Sequence, residues 1–163
     1  MKIIHCADLH LDSPMETHMT REKASMRNAE ILRTFMRMTE YAKKENVRAI
    51  LIAGDLFDGE RVTSRTVDEV LNMMRETSEI DYLYLPGNHD GLSFAFSDKA
   101  QPGNLKQFSR QWMSVLYDEA AVSGIEITKD NAISMYEKVP HIENKVNIMA
   151  LHGQTGTSCG ENL

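Results

Sequence analysis

Cysteine is scarce: the 163 residues hold only Cys6 and Cys159. Neither sits at metal-ligand spacing, and two cysteines make no disulfide framework. Cys6 falls inside an apolar run and reads as a buried free thiol. Long hydrophobic runs are missing too. Met1-Lys2-Ile3-Ile4 offers one positive charge and is interrupted at His5, which is too short for a secretory signal. No stretch approaches the roughly 20 apolar residues that span a bilayer, so the expected location is cytoplasmic, with no membrane partner. Positive charge is also in deficit, since 18 Lys and Arg stand against 24 Asp and Glu, a net charge of −6. That counts against a simple DNA-binding module, which holds phosphates through basic side chains. It counts less against a metal-dependent enzyme, because bound divalent cations reset the local charge. There is no internal repeat, low-complexity tract or linker.

What remains is an ordinary composition for a soluble domain, 42% apolar and 26% charged, with length enough for one real core. The eleven methionines fall mostly on apolar helix faces and read as core filler. Lys2 to Ala7 is a short apolar strand pattern. From about Ala24 to Asn46, Ile31, Phe35, Met38 and Ala42 recur on one helical face. Asn46-Val47 turns the chain into Ala49-Ile50-Leu51-Ile52-Ala53, an unbroken apolar run that suits a central parallel strand. Ser64 is the expected N-cap of a second helix with Val67, Val70, Leu71 and Met74 facing inward. Tyr82 to Leu85 is a third strand, closed by Pro86-Gly87. Gly91 to Pro102 reads as loop and Leu105 to Tyr117 as helix. Ile125–Thr128, Ala132–Tyr136 and Val146–Leu151 read as strands of a second, more antiparallel sheet.

Three polar clusters follow the first three strands: Asp8-Leu9-His10, Gly54-Asp55-Leu56-Phe57-Asp58 and Gly87-Asn88-His89-Asp90. In parallel α/β sheets, ligand sites lie beyond the carboxyl ends of the strands, where all three clusters fall. Asp8 and His10, two apart, project to the same side and offer a mixed oxygen and nitrogen donor set. Asp55 follows a glycine that permits a tight turn, and its two oxygens can bridge two ions. Asp58 is a turn residue or an acceptor behind a ligand. Asn88 offers a neutral amide oxygen. His89 points elsewhere along the turn, toward substrate, with Asp90 placed to orient its imidazole. His152 ends a fourth apolar run, whereas His5, His18 and His141 lack such a context. Taken singly, each cluster is matched by a bland alternative: a cap, a turn or a surface histidine.

The conjunction Asp-x-His, Gly-Asp-x-x-Asp, Gly-Asn-His-Asp and a strand ending in His resembles the calcineurin-like metallophosphoesterase superfamily. Residues 7–14 and 53–58 are most similar to its SbcD-type DNA repair exonuclease branch. The resemblance implies an α/β fold, a β-sandwich flanked by helices (αββα). It implies two divalent metal ions, Mn²⁺ first and Fe²⁺ or Zn²⁺ as alternatives. Asp8 and His10 would serve one ion, Asn88 and His152 the other, with Asp55 bridging. Hydroxide would attack phosphorus, with His89 as general acid and Asp90 as its partner. DNA would be the substrate of the full-length protein, with an SbcC-like ATPase or a second copy of the chain as partners.

The family completes its site with a Gly-His-x-His motif. No glycine here precedes a histidine, and eleven residues follow His152. Residues 1–163 are therefore expected to be a catalytic domain that stops before that motif, the N-terminal part of a longer nuclease, with weak metal binding and little activity alone. Two other readings stand beside it. One is a phosphoprotein phosphatase or small-molecule phosphodiesterase of the same fold. The other is a non-catalytic assembly module with a partial metal site.

Overall fold

The computed structural model describes residues 1–15, 20–59, 62–88, 90, 96 and 99–153. His18, His89, Cys159 and most of the Gly91–Pro102 loop lie outside the described residues.

Strand β2 (Ala49–Ala53) is fully buried, which its uninterrupted apolar sequence dictates. It pairs in parallel with β1 (Ile3–Cys6) on one side and β3 (Asp81–Leu85) on the other. A short β4 (Leu105–Gln107) adds in parallel to β3 and completes the order β1-β2-β3-β4. The crossovers carry α1 (Arg21–Lys44) and α2 (Ser64–Glu76). Alternation along β2 sends Ile50 and Ile52 into one core with Phe35, Ala42, Val67, Val70, Leu71 and Met74 of the helices. Ala49, Leu51 and Ala53 face a second core with Leu83, Leu85, Phe108, Val122 and Ala150. That second core lies between the parallel sheet and a three-stranded sheet of β5 (Met113–Leu116), β6 (Ala120–Gly124) and β7 (Val146–Ala150). The molecule is thus an α/β sandwich with α1 and α2 on one face of the parallel sheet.

Several sequence expectations shift. The α2 N-cap is Thr63 rather than Ser64; its side chain accepts from the Thr66 N–H. Leu105–Tyr117 is not a helix but β4, a loop and β5. Asn104 explains why: its buried amide donates to the carbonyls of Met74, Thr77 and Ile80, pinning the chain beside β3. The strand expected at Ile125–Thr128 lies earlier, at Ala120–Gly124, where small residues let the Phe108 ring pack directly on Gly124. Ala132–Tyr136 is not a strand; Ser134–Lys138 forms a 3₁₀ helix. In the second sheet β5 and β6 are antiparallel, but β6 and β7 are parallel. Among the described residues, no helix is long and apolar enough to cross a membrane.

Candidate metal centre

The polar clusters gather at the carboxyl ends of β1, β2 and β3, joined by the end of β7. After β1 the chain leaves the strand yet stays beside the end of β2. The N–H groups of Asp8, His10 and Leu11 donate to the carbonyls of Gly54, Asp55 and Leu56 at 3.1, 2.9 and 2.9 Å. Along this segment Asp8, His10 and Asp12 have left-handed φ of 54°, 46° and 64°. Leu9 packs against the helix-side core and Leu11 is buried within it. The shared direction of Asp8 and His10 therefore comes from alternating left-handed residues, not from strand pleat as the spacing alone predicts. Asp55 is also left-handed, at φ 51°. Non-glycine residues in this region cost on the order of 1 kcal/mol each and persist where surrounding structure imposes them.

Donor atoms of Asp8, Asp55 and His152 all lie within 4.8 Å of one another. Asp55 is buried, His152 half-buried and Asp8 exposed. Asp55 Oδ2 stands between two imidazoles, 3.3 Å from His152 Nε2 and 3.9 Å from His10 Nε2. The His152 Nδ1 is 2.9 Å from the Ala53 carbonyl, which can only accept, so Nδ1 carries the proton. In the neutral ring Nε2 then presents its lone pair to Asp55 Oδ2 and, at 3.1 Å, to Asn88 Oδ1. Three acceptors aimed at one another repel unless a cation or a second ring proton stands between them. A ring nitrogen fixed through its opposite N–H is the usual state of a metal-ligating histidine. The mixed carboxylate, amide and imidazole set suits Mn²⁺, Fe²⁺ or Zn²⁺, and these residues fit a divalent ion.

Two glycines make the close approach feasible. A Cβ on Gly54, itself at φ 94°, would overlap the His152 ring. One on Gly87 would overlap both the carboxylate and the backbone nitrogen of Asp55.

Asp90 is buried, and it accepts from two backbone N–H groups and from the Tyr84 hydroxyl. Oδ1 accepts from the Phe57 N–H at 2.7 Å and Oδ2 from the Gly87 N–H at 2.8 Å. Burial pushes its carboxyl above the ordinary range, opposed by those two donors and by the Tyr84 hydroxyl. Asp90 thus clips the loop after β3 to the loop after β2; the His89 that it is expected to orient lies outside the described residues. Phe96 packs edge-on against both Phe57 and Tyr84, with ring centroids 5.5 Å apart in each pair. Asp58 accepts from Ser13 Oγ at 2.6 Å and lies 4.0 Å from His10 Nδ1, so it sits behind a candidate ligand rather than only in a turn.

Sequence reasoning misses Asp12. Its Oδ2 accepts from the Thr63 N–H and from the hydroxyls of Thr63 and Thr66, tying the first ligand loop to the start of α2. The signal that could find it is the Thr63-x-x-Thr66 pair beside Ser64. His5 and His141 are exposed and take no part. Burial raises the half-buried Cys6 thiol to about 11.

Residues 1–156 match the family described as calcineurin-like phosphoesterase. Among individual proteins, the chain is 34% identical over 92 residues to a DNA double-strand break repair protein Mre11 from Aeropyrum pernix, covering 55% of this chain and 21% of that protein. An Mre11 from Saccharolobus solfataricus is 28% identical over 92 residues, 55% of this chain and 23% of that protein. An uncharacterized metallophosphoesterase, YhaO of Bacillus subtilis, is 31% identical over 114 residues, 67% of this chain and 28% of that protein. The chain thus spans about a quarter of the length of these relatives. With carboxylate and imidazole donors converging at the strand ends and the family match running along nearly its whole length, the chain belongs to the calcineurin-like metallophosphoesterases.

Proposed function

We propose that this chain is the catalytic region of a metal-dependent phosphodiesterase acting on DNA, the N-terminal part of a repair nuclease. The observation that carries the reading is the convergence of Asp8, Asp55 and His152, with the His152 tautomer set by the Ala53 carbonyl. Resemblance to Mre11 proteins over 92 residues supports DNA as the substrate. Asp8 and His10 would hold one divalent ion, Asn88 and His152 a second, with Asp55 shared. Bound there, such ions lower the pKa of water and neutralise charge on a phosphoryl group.

The protein's own residues do the rest. Asp55, buried and wedged by Gly87, keeps its carboxylate oriented without rearrangement during reaction. Ala53 holds the His152 ring with Nε2 outward. Asp90 keeps the Asn88 loop against the Asp55 loop. His89, between Asn88 and Asp90 in sequence, is assigned protonation of the leaving oxygen. Among the described residues Asp8 and Asn88 are exposed, which supports a substrate that reaches the centre from solvent.

A second reading, a small-molecule phosphodiesterase or phosphoprotein phosphatase, draws on the net charge of −6. Turnover by the full-length protein of bis-p-nitrophenyl phosphate, p-nitrophenyl phosphate and linear duplex DNA with Mn²⁺ separates the two. The expected outcome is hydrolysis of both diesters, reduced at least about 100-fold in Asn88→Ala and His89→Ala, in line with the loss of one catalytic group. Monoester turnover without DNA cleavage would move the assignment to the second reading. Full activity in both variants would remove the site.

A further inference from the structure

Helix α2 begins without an acid in its own first turn, where a negative charge would offset the unpaired N–H groups. The charge comes from a distant part of the chain. Asp12 Oδ2 accepts from the Thr63 N–H at 2.9 Å, from Thr63 Oγ1 at 2.8 Å and from Thr66 Oγ1 at 2.7 Å. Its partners lie 51 and 54 residues further along the sequence. Three donors on one oxygen fit an ionised carboxylate, whose hydrogen bonds are stronger than those of a neutral acceptor. They also occupy that oxygen, so it is not offered to a metal ion.

The loop that carries this carboxylate also carries Asp8 and His10, and it needs holding. Asp8, His10 and Asp12 are all left-handed, a conformation that costs free energy at non-glycine residues and persists where the surroundings impose it. The near side of the loop is fixed by backbone. The N–H groups of Asp8, His10 and Leu11 donate to the chain leaving β2, and Leu11 bridges in parallel to Phe57. The far side is tied by Asp12 to α2, by Ser13 Oγ to Asp58, and by Asn28 Nδ2 to the Ser13 carbonyl. Of these three ties only that of Asp12 reaches α2. The helix is firmly seated, since Val67, Val70, Leu71 and Met74 are buried in the core.

We infer that Asp12 is a positioning residue for the metal centre. Its carboxylate clamps the loop of Asp8 and His10 to the start of α2, and so holds both side chains at the dihedrals that aim them. It acts through the loop backbone, not by touching metal or substrate. Toward metal, the inference rests on the reading of Asp8 and His10 as ligands; toward the loop, it stands on the hydrogen bonds alone.

The test uses the full-length protein and two readouts. The first is hydrogen exchange in EDTA of a peptide spanning residues 8–12, read by mass spectrometry and independent of metal. Asp12→Ala should speed exchange there at least about tenfold, as the loss of a hydrogen bond to a charged group would. Thr66→Val, which removes one donor on the helix side, should act in the same direction but less. The second readout is Mn²⁺ binding, which should weaken at least about tenfold in Asp12→Ala. Adding Ser64→Glu to Asp12→Ala separates a clamp from a helix cap. The new acid in the first turn should restore part of the lost melting temperature, while loop exchange and Mn²⁺ affinity stay at the Asp12→Ala level. Asp12→Asn, which keeps an acceptor oxygen, should recover part of both. Wild-type loop exchange or wild-type Mn²⁺ affinity in Asp12→Ala would overturn the inference. So would return of loop protection along with melting temperature in the double variant, which would make Asp12 a helix cap only. Absence of Mn²⁺ binding in the wild type, with loop exchange changing as described, would instead sink the ligand reading and leave the clamp standing.

Discussion

At the scale of single residues, the centre is assembled by backbone conformations that few side chains tolerate. Asp8, His10 and Asp55 all occupy left-handed φ, and Gly54 and Gly87 let the rings and carboxylates close over them. None of this is legible in residue spacing, which signals which donors are present but not the dihedral that aims them. The donors themselves are legible. Asp8, His10, Asp55, Asn88 and His152 all stand out by their positions after apolar runs, and the fold brings them to one place. Gly54→Ala and Gly87→Ala separate two effects. At Gly54 the obstacle is a ring that can swing, and alanine at φ 94° adds backbone strain of roughly 1 kcal/mol. The variant should therefore fold with a slightly lower melting temperature and bind Mn²⁺ about 10- to 100-fold more weakly, the range typical when a group that orients a metal ligand is disturbed. At Gly87 the obstacle includes the Asp55 backbone nitrogen, so the protein should also melt at lower temperature. Calorimetry for binding and thermal melts for stability read the two apart; equal affinity in Gly54→Ala would show that the His152 ring is not confined as described.

At the scale of elements, the sequence pattern identifies what is long and strongly patterned. The run Ala49–Ala53, the helix carrying Phe35 and Ala42, and the inward face of α2 all stand where periodicity puts them. The second sheet is hard to read because its strands are short and set by distant partners. Leu105–Gln107 is a strand because Asn104 ties it to the end of α2, and Ala120–Gly124 because the core buries it. Long-range packing of this kind leaves no local signature. The loops after β2 and β3 are held together by a single carboxylate, and the consequence is measurable. Asp90→Ala leaves the Phe57 and Gly87 N–H groups without their acceptor, one of them fully buried. The expected loss is about 3 kcal/mol, for two hydrogen bonds to a charged acceptor. In a domain of this size that is a fall in Tm of roughly 6–12 °C. Asp90→Asn, which keeps one acceptor oxygen, should lose about half as much. A Tm within a degree of wild type in Asp90→Ala would mean that the two loops hold without the clip.

At the scale of the whole molecule, the parallel sheet stands between helices and a second sheet, and its carboxyl edge carries Asp8, His10, Asp55 and Asn88 toward His152 at the end of β7. The net charge of −6 argues against a module that holds nucleic acid through basic side chains alone. It is compatible with a phosphate-bearing substrate where divalent cations sit at the strand ends and reset the local charge. The central claim is that these strand ends form a metal centre. Mn²⁺ titration followed by the electron paramagnetic resonance of the free ion tests it most directly, comparing the wild type with Asp55→Asn. Saturable Mn²⁺ binding by the wild type is expected, with a loss of at least about tenfold in affinity when the carboxylate of Asp55 becomes an amide. Indistinguishable binding curves for the two proteins, or no binding by the wild type, would contradict it.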